Sequence, residues 1–180
     1  MAVSDIYDFV NGSTPLEAVP VLIQLLPVLE DGAIKEGVIR ALGDKTARGI
    51  AAHPLIEELK RIGSSSPLLG WVIANSLAEI VELSDFEELR SLVRDASLGK
   101  AREMLVLALA RTRHPDVAAE LAQLTDDEAV AGHIVIAAGE IGASQLRLFV
   151  ERQLIGGRPW VRKEARKALR RIQRLTPSRS

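Results

Sequence analysis

Histidines, which commonly act in acid–base catalysis and metal binding, are few in this chain and far apart in sequence. Its three histidines are His53, His114 and His133, and none belongs to an H-E-x-x-H zinc motif. The chain has no cysteine, which excludes disulfides, thiolate metal sites and a cysteine nucleophile. His53 and His114 each precede a proline, and we expect them to cap helices. We therefore expect no catalytic residue, no metal site and no cofactor.

Acidic residues occur in adjacent pairs, such as Glu57-Glu58 and Glu87-Glu88. Neighbouring residues diverge by about 100° around a helix, so the two carboxylates of a pair cannot share a proton. We expect them on solvated faces or in first helical turns, where negative charge is favourable. Gly156-Gly157 lacks the preceding strand and the Gly-Lys-Ser/Thr signature of a phosphate loop. These patterns predict a protein that is not an enzyme.

The charge of the chain changes sign near residue 158. Residues 1–157 carry a net charge of −9 and residues 158–180 carry +8. The basic residues of the last predicted helix are Arg162, Lys163, Arg166, Lys167, Arg170, Arg171 and Arg174. Two interpretations stay open: a capping helix with a polar outer face, or a surface for nucleic acid, an acidic protein or another polyanion. No aromatic residues interleave these cations, so base stacking is not indicated.

The elements that carry these residues are helices in a repeating pattern. From Ile34, apolar or small residues recur at offsets 0, 4, 7 and 8, which form one stripe of a helix. The pattern starts again at Leu69, Ala101, Val130 and Val161, at intervals of 29 to 35 residues. A nearly constant interval of this length is the signature of a repeat architecture.

A partner helix with its own apolar stripe precedes each of these helices. The stripes are Leu22/Leu25/Leu26/Leu29, Ile56/Leu59/Ile62, Phe86/Leu89/Val93, Val117/Leu121/Leu124 and Leu146/Phe149/Val150. Asp31-Gly32 separates the first pair, and Ser84-Asp85-Phe86-Glu87 predicts a capping box. Pro54 and Pro115 are each predicted at a first helical position. Paired helices of this length cannot bury both stripes alone, so the sequence predicts an all-α solenoid of about five two-helix repeats.

The repeats are predicted to form a single domain. Their approximate ranges are 14–44, 51–82, 84–113, 114–143 and 144–175, within one domain over 1–175 and followed by a disordered tail at 176–180. The start of the chain has no basic segment followed by a long apolar run, and no stretch reaches the ~20 apolar residues of a membrane span. We expect a cytoplasmic protein with no membrane span, and its oligomeric state stays open.

Particular stretches resemble a HEAT repeat. Residues 19–26 (VPVLIQLL) followed by 31–35 (DGAIK) resemble its Pro-containing first helix and Asp turn, and 160–169 (WVRKEARKAL) resembles its second helix. Residues 138–142 (AGEIG) are similar to the ending of the HEAT-like repeats of phycobilin lyase subunits. The resemblance covers roughly residues 14 to 175. It departs at Gly70 and Ala131, where the basic residue after the first stripe position is missing.

The resemblance implies a right-handed α-α superhelix, armadillo-like in form, and a non-enzymatic scaffold or adaptor that binds another protein or peptide. DNA-alkylation-repair glycosylases are a remote alternative. They line a basic groove with aromatic residues and an acid. Here only Trp71 and Trp160 are available as tryptophans, and the first four repeats are mixed or acidic on their inner side. The ending shared with phycobilin lyase subunits identifies no chromophore site.

The second helices of HEAT-type stacks line the concave side, so positions opposite the apolar stripe predict the inner surface. Offsets 2, 6 and 9 from each start point that way. The predicted partner-binding residues are Glu36, Arg40, Trp71, Asn75, Glu103, Leu107 and Ile136. Trp71, Leu107 and Ile136 would form an apolar cluster over a floor of small residues, Ala78, Ala110 and Gly139, with Trp71 as a hot spot. The alternative is that Trp71 is buried between repeats.

Overall fold

The computed structural model describes residues 12–175, which form ten α-helices and no β-strand. The helices are α1 (Val19–Leu25), α2 (Gly32–Leu42), α3 (Ala52–Ile62), α4 (Pro67–Ile80), α5 (Phe86–Arg94), α6 (Ala101–Arg111), α7 (Val117–Gln123), α8 (Ala131–Ile141), α9 (Arg147–Gly156) and α10 (Pro159–Leu175). The predicted all-α class is confirmed for this range. The tail predicted at 176–180 lies outside the described residues.

The chain divides into two compact units, Met1–Thr112 and Arg113–Ser180. In the first unit, α1, α3 and α5 each pack against the helix that follows, which gives three helical hairpins. The second helices of these hairpins also pack in succession, α2 against α4 and α4 against α6. As a result α4 has three helical neighbours, and it needs apolar or small side chains on three sides.

The second unit contains α7 to α10 and repeats this packing rule. α7 packs against α8, and α9 packs against α10. The second helices again pair with each other, α8 against α10. α10 supplies a buried stripe at spacings of 4, 3 and 4 residues, formed by Val161, Ala165, Ala168 and Ile172. This spacing keeps the four side chains on one face of the helix, toward α8 and α9.

The apolar stripe predicted for the second helices is buried at its central positions. At offset 4 the exposed fraction is 2% for Val38 and 0% for Ile73, Leu105, Ile134 and Ala165. The first position is less regular. Ile34, which opens the first stripe, is 47% exposed. The phase of the repeat is therefore correct in the helix interiors, and its error lies at a helix start.

Some predicted helix boundaries agree with the structure and others are shifted. The Asp31 carboxylate accepts hydrogen bonds from the backbone N–H groups of Ala33 and Ile34 and so caps α2. The capping box predicted at Ser84–Glu87 is wrong. The capping box in the structure begins two residues earlier, at Glu82, whose backbone N–H donates to the Asp85 carboxylate at 2.8 Å. Glu82 and Asp85 thus take the places that the predicted pattern gave to Ser84 and Glu87.

The histidine caps are only partly as expected. α3 begins at Ala52, so His53 and Pro54 lie inside its first turn, and no side chain caps this helix. His114 does satisfy a backbone group, because its Nδ1 accepts from the Asp116 N–H at 3.2 Å, just before α7 begins at Val117. Pro115 therefore lies in the turn that leads into α7 and not at its first helical position.

Within residues 12–175, none of the helices combines the length and the apolar character that crossing a bilayer requires.

Candidate functional site

The predicted partner-binding residues of the first unit lie on neighbouring second helices. Glu36 and Arg40 are on α2, Trp71 and Asn75 are on α4, and Glu103 is on α6. All five are half-buried, so each keeps part of its side chain in solvent. Because α2, α4 and α6 pack in succession, these residues occupy equivalent positions along one set of helices.

Arg40 and Asn75 are brought together at a shallow polar depression. The depression has a volume of about 170 Å³ and is lined by Arg40, Gly43, Asn75, Ser76 and Glu79. Arg40 also forms an ion pair with Glu36, one turn earlier on α2, with 2.8 Å between Nη2 and Oε1. The guanidinium is therefore held over the depression by its own helix.

Glu79 was not among the predicted residues, although it is 50% exposed and tied to two arginines. Arg111 of α6 donates from Nη1 to the Glu79 carboxylate at 2.6 Å and to the Ala78 carbonyl at 2.9 Å. Arg48 donates to the Glu79 carbonyl at 2.8 Å. No sequence pattern indicated these contacts, because the three residues are more than 30 positions apart and meet only through packing.

The expected exposure of the apolar cluster is wrong for part of its members. Leu107 is only 8% exposed, and the expected floor residues Ala78 and Ala110 are 2% and 1% exposed. These side chains are core, because a second helix in a stack packs on its hairpin partner and on other second helices. Ile136 is half-buried and lies in the second unit. In the first unit Trp71 is thus the apolar member of the predicted surface that reaches solvent.

The basic helix α10 has a large unpaired positive charge. Its exposed cations are Lys163, Arg166, Arg170, Arg171 and Arg174. Within residues 12–175 none of these five side chains forms a hydrogen bond or ion pair. The two others are engaged: Lys167 with Glu164 at 2.8 Å, and Arg162 with the Gly157 carbonyl at 3.2 Å. A helix whose cations are mostly unpaired attracts anions more strongly than one whose charges are neutralised.

Trp160 lies at the start of this basic helix and is not among the predicted site residues. The predicted stripe began at Val161, whereas α10 begins at Pro159 and includes Trp160 in its first turn. The ring is 40% exposed and packs over Gly132 of α8, where a Cβ atom would overlap it. The His133 ring is 5.6 Å away, centroid to centroid, and tilted by 58°. Because Gly132 has no Cβ, the ring can lie against α8, and this glycine is the sequence feature that could have indicated the contact.

A buried ion network joins α2 to α3. Lys35 Nζ donates to Glu58 Oε1 at 2.9 Å, and these side chains are 7% and 3% exposed. Arg61 adds two bonds to the same carboxylate, at 2.8 and 2.6 Å. Burial raises the pKa of Glu58, but the hydrogen bonds from Arg61 and Lys35 outweigh it and hold the pKa below its ordinary value. The expectation that Glu57 and Glu58 both lie on a solvated face is therefore wrong for Glu58.

A groove of about 610 Å³ runs between α1 and α3 next to this network. It is lined by the apolar side chains of Ile23, Leu26, Pro27 and Pro54 and by the charged side chains of Glu57, Glu58, Lys60 and Arg61. These residues come from α1, from the two positions after it and from α3. No pattern in the sequence pointed to the groove, because each helix contributes only a few positions to it.

Three possible metal ligands on α3 and α5 lie close together. One ligand atom each from His53, Glu57 and Glu88 lie within 4.8 Å of one another. The Lys60 ammonium already lies there, 2.8 Å from Glu57 Oε1 and 3.5 Å from Glu88 Oε1. The hydrogen bond from Lys60 lowers the pKa of Glu57, and the same bond raises the pKa of Lys60. A metal ion would have to displace this ammonium.

Glu57, Glu58 and Asp95 share a lowered pKa. Besides Glu57 and Glu58, the pKa of Asp95 is lowered, mainly by its hydrogen bonds with Ser97. Carboxylates of this kind stay ionised and accept hydrogen bonds, whereas a general acid at neutral pH needs a raised pKa. The chemistry available to these three groups is ion pairing and capping.

No protein family, no curated protein and no solved structure matches this chain.

Proposed function

We propose that this protein is a non-catalytic binding module of HEAT type that recognises a protein or peptide through the surface of α2, α4 and α6. The observation that carries the proposal is the succession of these helices, with half-exposed residues at equivalent positions. Trp71 is the anchor of this surface, and Glu36, Arg40, Asn75 and Glu103 are its polar surroundings. A half-exposed tryptophan with a polar rim has the composition of an interface hot spot.

The HEAT assignment draws support from the contacts inside each unit. Hairpins whose second helices pack in succession are the unit of this architecture. Asp31 caps a second helix, and the basic residue after the first stripe position, Lys35, pairs with Glu58 of the next hairpin. The wider proposal of one right-handed superhelix of about five repeats rests on the spacing of the repeats in the sequence.

The test uses Trp71→Ala and one control variant as baits for partners in the native cell. Trp71→Ala should weaken binding of the partner by about 2 kcal/mol or more. Once the partner is isolated, titration should show this as roughly a 30-fold rise in Kd. Leu148→Ala is the control, since it removes a 74% exposed apolar side chain from the other unit. Far-UV circular dichroism checks that both variants are folded. Equal recovery of the partner by Trp71→Ala and wild type would exclude this surface.

A second binding function, for polyanions, is favoured by the unpaired cations of α10. Capping of an end helix explains polar residues, but it does not explain why nearly all of them carry one sign. Guanidinium groups bind phosphate and sulfate oxygens through two parallel hydrogen bonds. We expect the chain to be retained on heparin and eluted by moderate salt.

The control for this second function removes the same net charge from other positions of the chain. Arg166→Gln with Arg170→Gln removes two unpaired cations, whereas Arg90→Gln with Arg147→Gln removes two that are bound to Glu87 and Glu151. The first pair should elute from heparin at clearly lower salt than the second. Coincident elution would show that net charge, and not α10, causes retention.

A further inference from the structure

We propose that the polyanion bound by α10 is single-stranded nucleic acid, with Trp160 as a platform for a base and the adjacent cations as phosphate contacts. The proposal rests on the polyanion-binding function above and adds the class of its ligand. It starts from a register on the helix: Trp160 is followed by cations at 163, 167, 171 and 174, of which Lys167 is also paired with Glu164. These steps of 3, 4, 4 and 3 residues keep all five side chains within about 80° of one another around the helix.

The line has the length of a short binding site for a strand. Fourteen residues at 1.5 Å each separate its ends by about 21 Å. Arg166 and Arg170 lie along one edge of the line and widen the basic surface. The charge therefore follows a track with an aromatic ring at one end. This is the combination by which proteins hold single strands without reading sequence.

Trp160 is held in place while part of its ring stays in solvent. The ring packs over Gly132, whose missing Cβ makes the approach possible, and it lies beside His133. Leaving 40% of a tryptophan in water forgoes burial that a core position would provide. A ring fixed on one side and open on another can accept a base with little loss of conformational entropy.

Other polyanions fit these observations less well. A membrane surface would require an apolar helix face, but Val161, Ala165, Ala168 and Ile172 are already buried within the unit. A duplex keeps its bases stacked inside, so Trp160 would have no ring to stack on. An acidic peptide would satisfy the cations but has no planar base. Single-stranded nucleic acid uses both the charges and the ring.

The experiment uses the full chain and a fluorescein-labelled oligothymidylate of about fifteen nucleotides. Two probes of similar charge, a poly-glutamate peptide and a DNA hairpin duplex, are measured beside it by fluorescence anisotropy. We expect the oligothymidylate to bind more tightly than either, with an affinity that falls steeply between about 50 and 200 mM salt. In a Trp71→Phe background, binding should quench the remaining tryptophan fluorescence, which comes from Trp160.

Variants separate stacking from charge. Trp160→Ala should weaken oligothymidylate binding roughly tenfold and leave poly-glutamate binding unchanged. Trp160→Phe keeps a ring over Gly132 and should stay within about threefold of wild type, which guards against loss of folding in the alanine variant. Lys163→Gln with Arg174→Gln should reduce the slope of log affinity against log salt for every probe.

The outcomes distinguish the two proposals. Equal affinity for oligothymidylate and poly-glutamate, tighter binding to the duplex, or no effect of Trp160→Ala would overturn single-stranded recognition and leave polyanion binding in place. Failure of all three probes to bind at low salt would overturn both. Preference for oligothymidylate with loss in Trp160→Ala and retention in Trp160→Phe would support both.

Discussion

Removing either end of the Lys35–Glu58 pair should destabilise the first unit, and the two ends should differ. The pair is almost fully buried and links the first hairpin to the second. Glu58 has a second partner, Arg61, which donates two hydrogen bonds to it. Among the described residues, the ammonium of Lys35 bonds to Glu58 alone. This asymmetry sets the expected magnitudes.

Lys35→Met removes one charge-assisted hydrogen bond and leaves Glu58 paired with Arg61. Such a bond contributes about 1.5–3 kcal/mol. Part of this loss is offset, because the variant has no ammonium to desolvate on folding, so we expect the free energy of unfolding to fall by about 1–2 kcal/mol. Glu58→Gln leaves the Lys35 ammonium buried without a counter-charge, and breaking a buried pair in this way costs about 3–5 kcal/mol. Lys35→Met with Glu58→Leu replaces both groups by apolar ones and should lie within about 1 kcal/mol of wild type.

The assay is urea denaturation of each variant in a Trp160→Phe background. Trp71 then reports the unfolding of the first unit by fluorescence, and far-UV circular dichroism follows the whole chain. The midpoint shift multiplied by the slope gives the change in the free energy of unfolding. The reasoning is refuted if Glu58→Gln costs no more than Lys35→Met, or if the double variant is as unstable as the worse single one.

Three further predictions concern pH, helix contact and capping. The pKa of Glu58 is lower in the folded state, so its contribution to stability is present above the ordinary glutamate pKa of about 4.3 and is lost as the pH falls through the folded value. When Lys35→Met and Glu58→Leu are combined, the free energy of unfolding should therefore fall less steeply with decreasing pH. Gly139→Ala would place a Cβ 2.7 Å from the Ala168 Cα and should cost about 1–3 kcal/mol in thermal unfolding, whereas Gly156→Ala, with no atom within 4 Å, should not destabilise. Asp31→Ala should lower the stability of the first unit by about 1 kcal/mol in urea, and Asp31→Asn should retain most of it.

The phase of the helices could be predicted from the sequence because helical periodicity is local. Offset 4 identifies Val38, Ile73, Leu105, Ile134 and Ala165, and all five are buried. The spacing of an apolar stripe is dictated by 3.6 residues per turn and needs no knowledge of neighbours. The position of one N-cap followed from the same local rules. A second cap lies two residues earlier than predicted, on the acidic pair Glu82 and Asp85.

The second buried side of these helices could not be predicted, because it depends on tertiary neighbours. Leu107 and Ala110 were expected at the inner surface from their angle to the first stripe, and both are buried. The apolar arc of a second helix is wider than one stripe, since the helix packs on its own partner and on other second helices. Trp160 was missed for a related reason: its place is defined by Gly132, which lies in another repeat.

Small residues at offsets 7 and 9 explain how the second helices approach each other, and they also set α10 apart. Gly43 at offset 9 lies against Ser76 at offset 7 of the next second helix, and Gly139 lies against Ala168 in the same way. A Cβ would come within 2.8 Å of the Ser76 Cβ in the first case and within 2.7 Å of the Ala168 Cα in the second, so the position must stay small wherever another second helix follows. In α10 the equivalent residue is Arg170, which is exposed. Release from packing explains why a long polar side chain is tolerated there, but it does not select arginine. The positive sign, repeated along the exposed face, is the part that packing leaves unexplained and that an anionic ligand would explain.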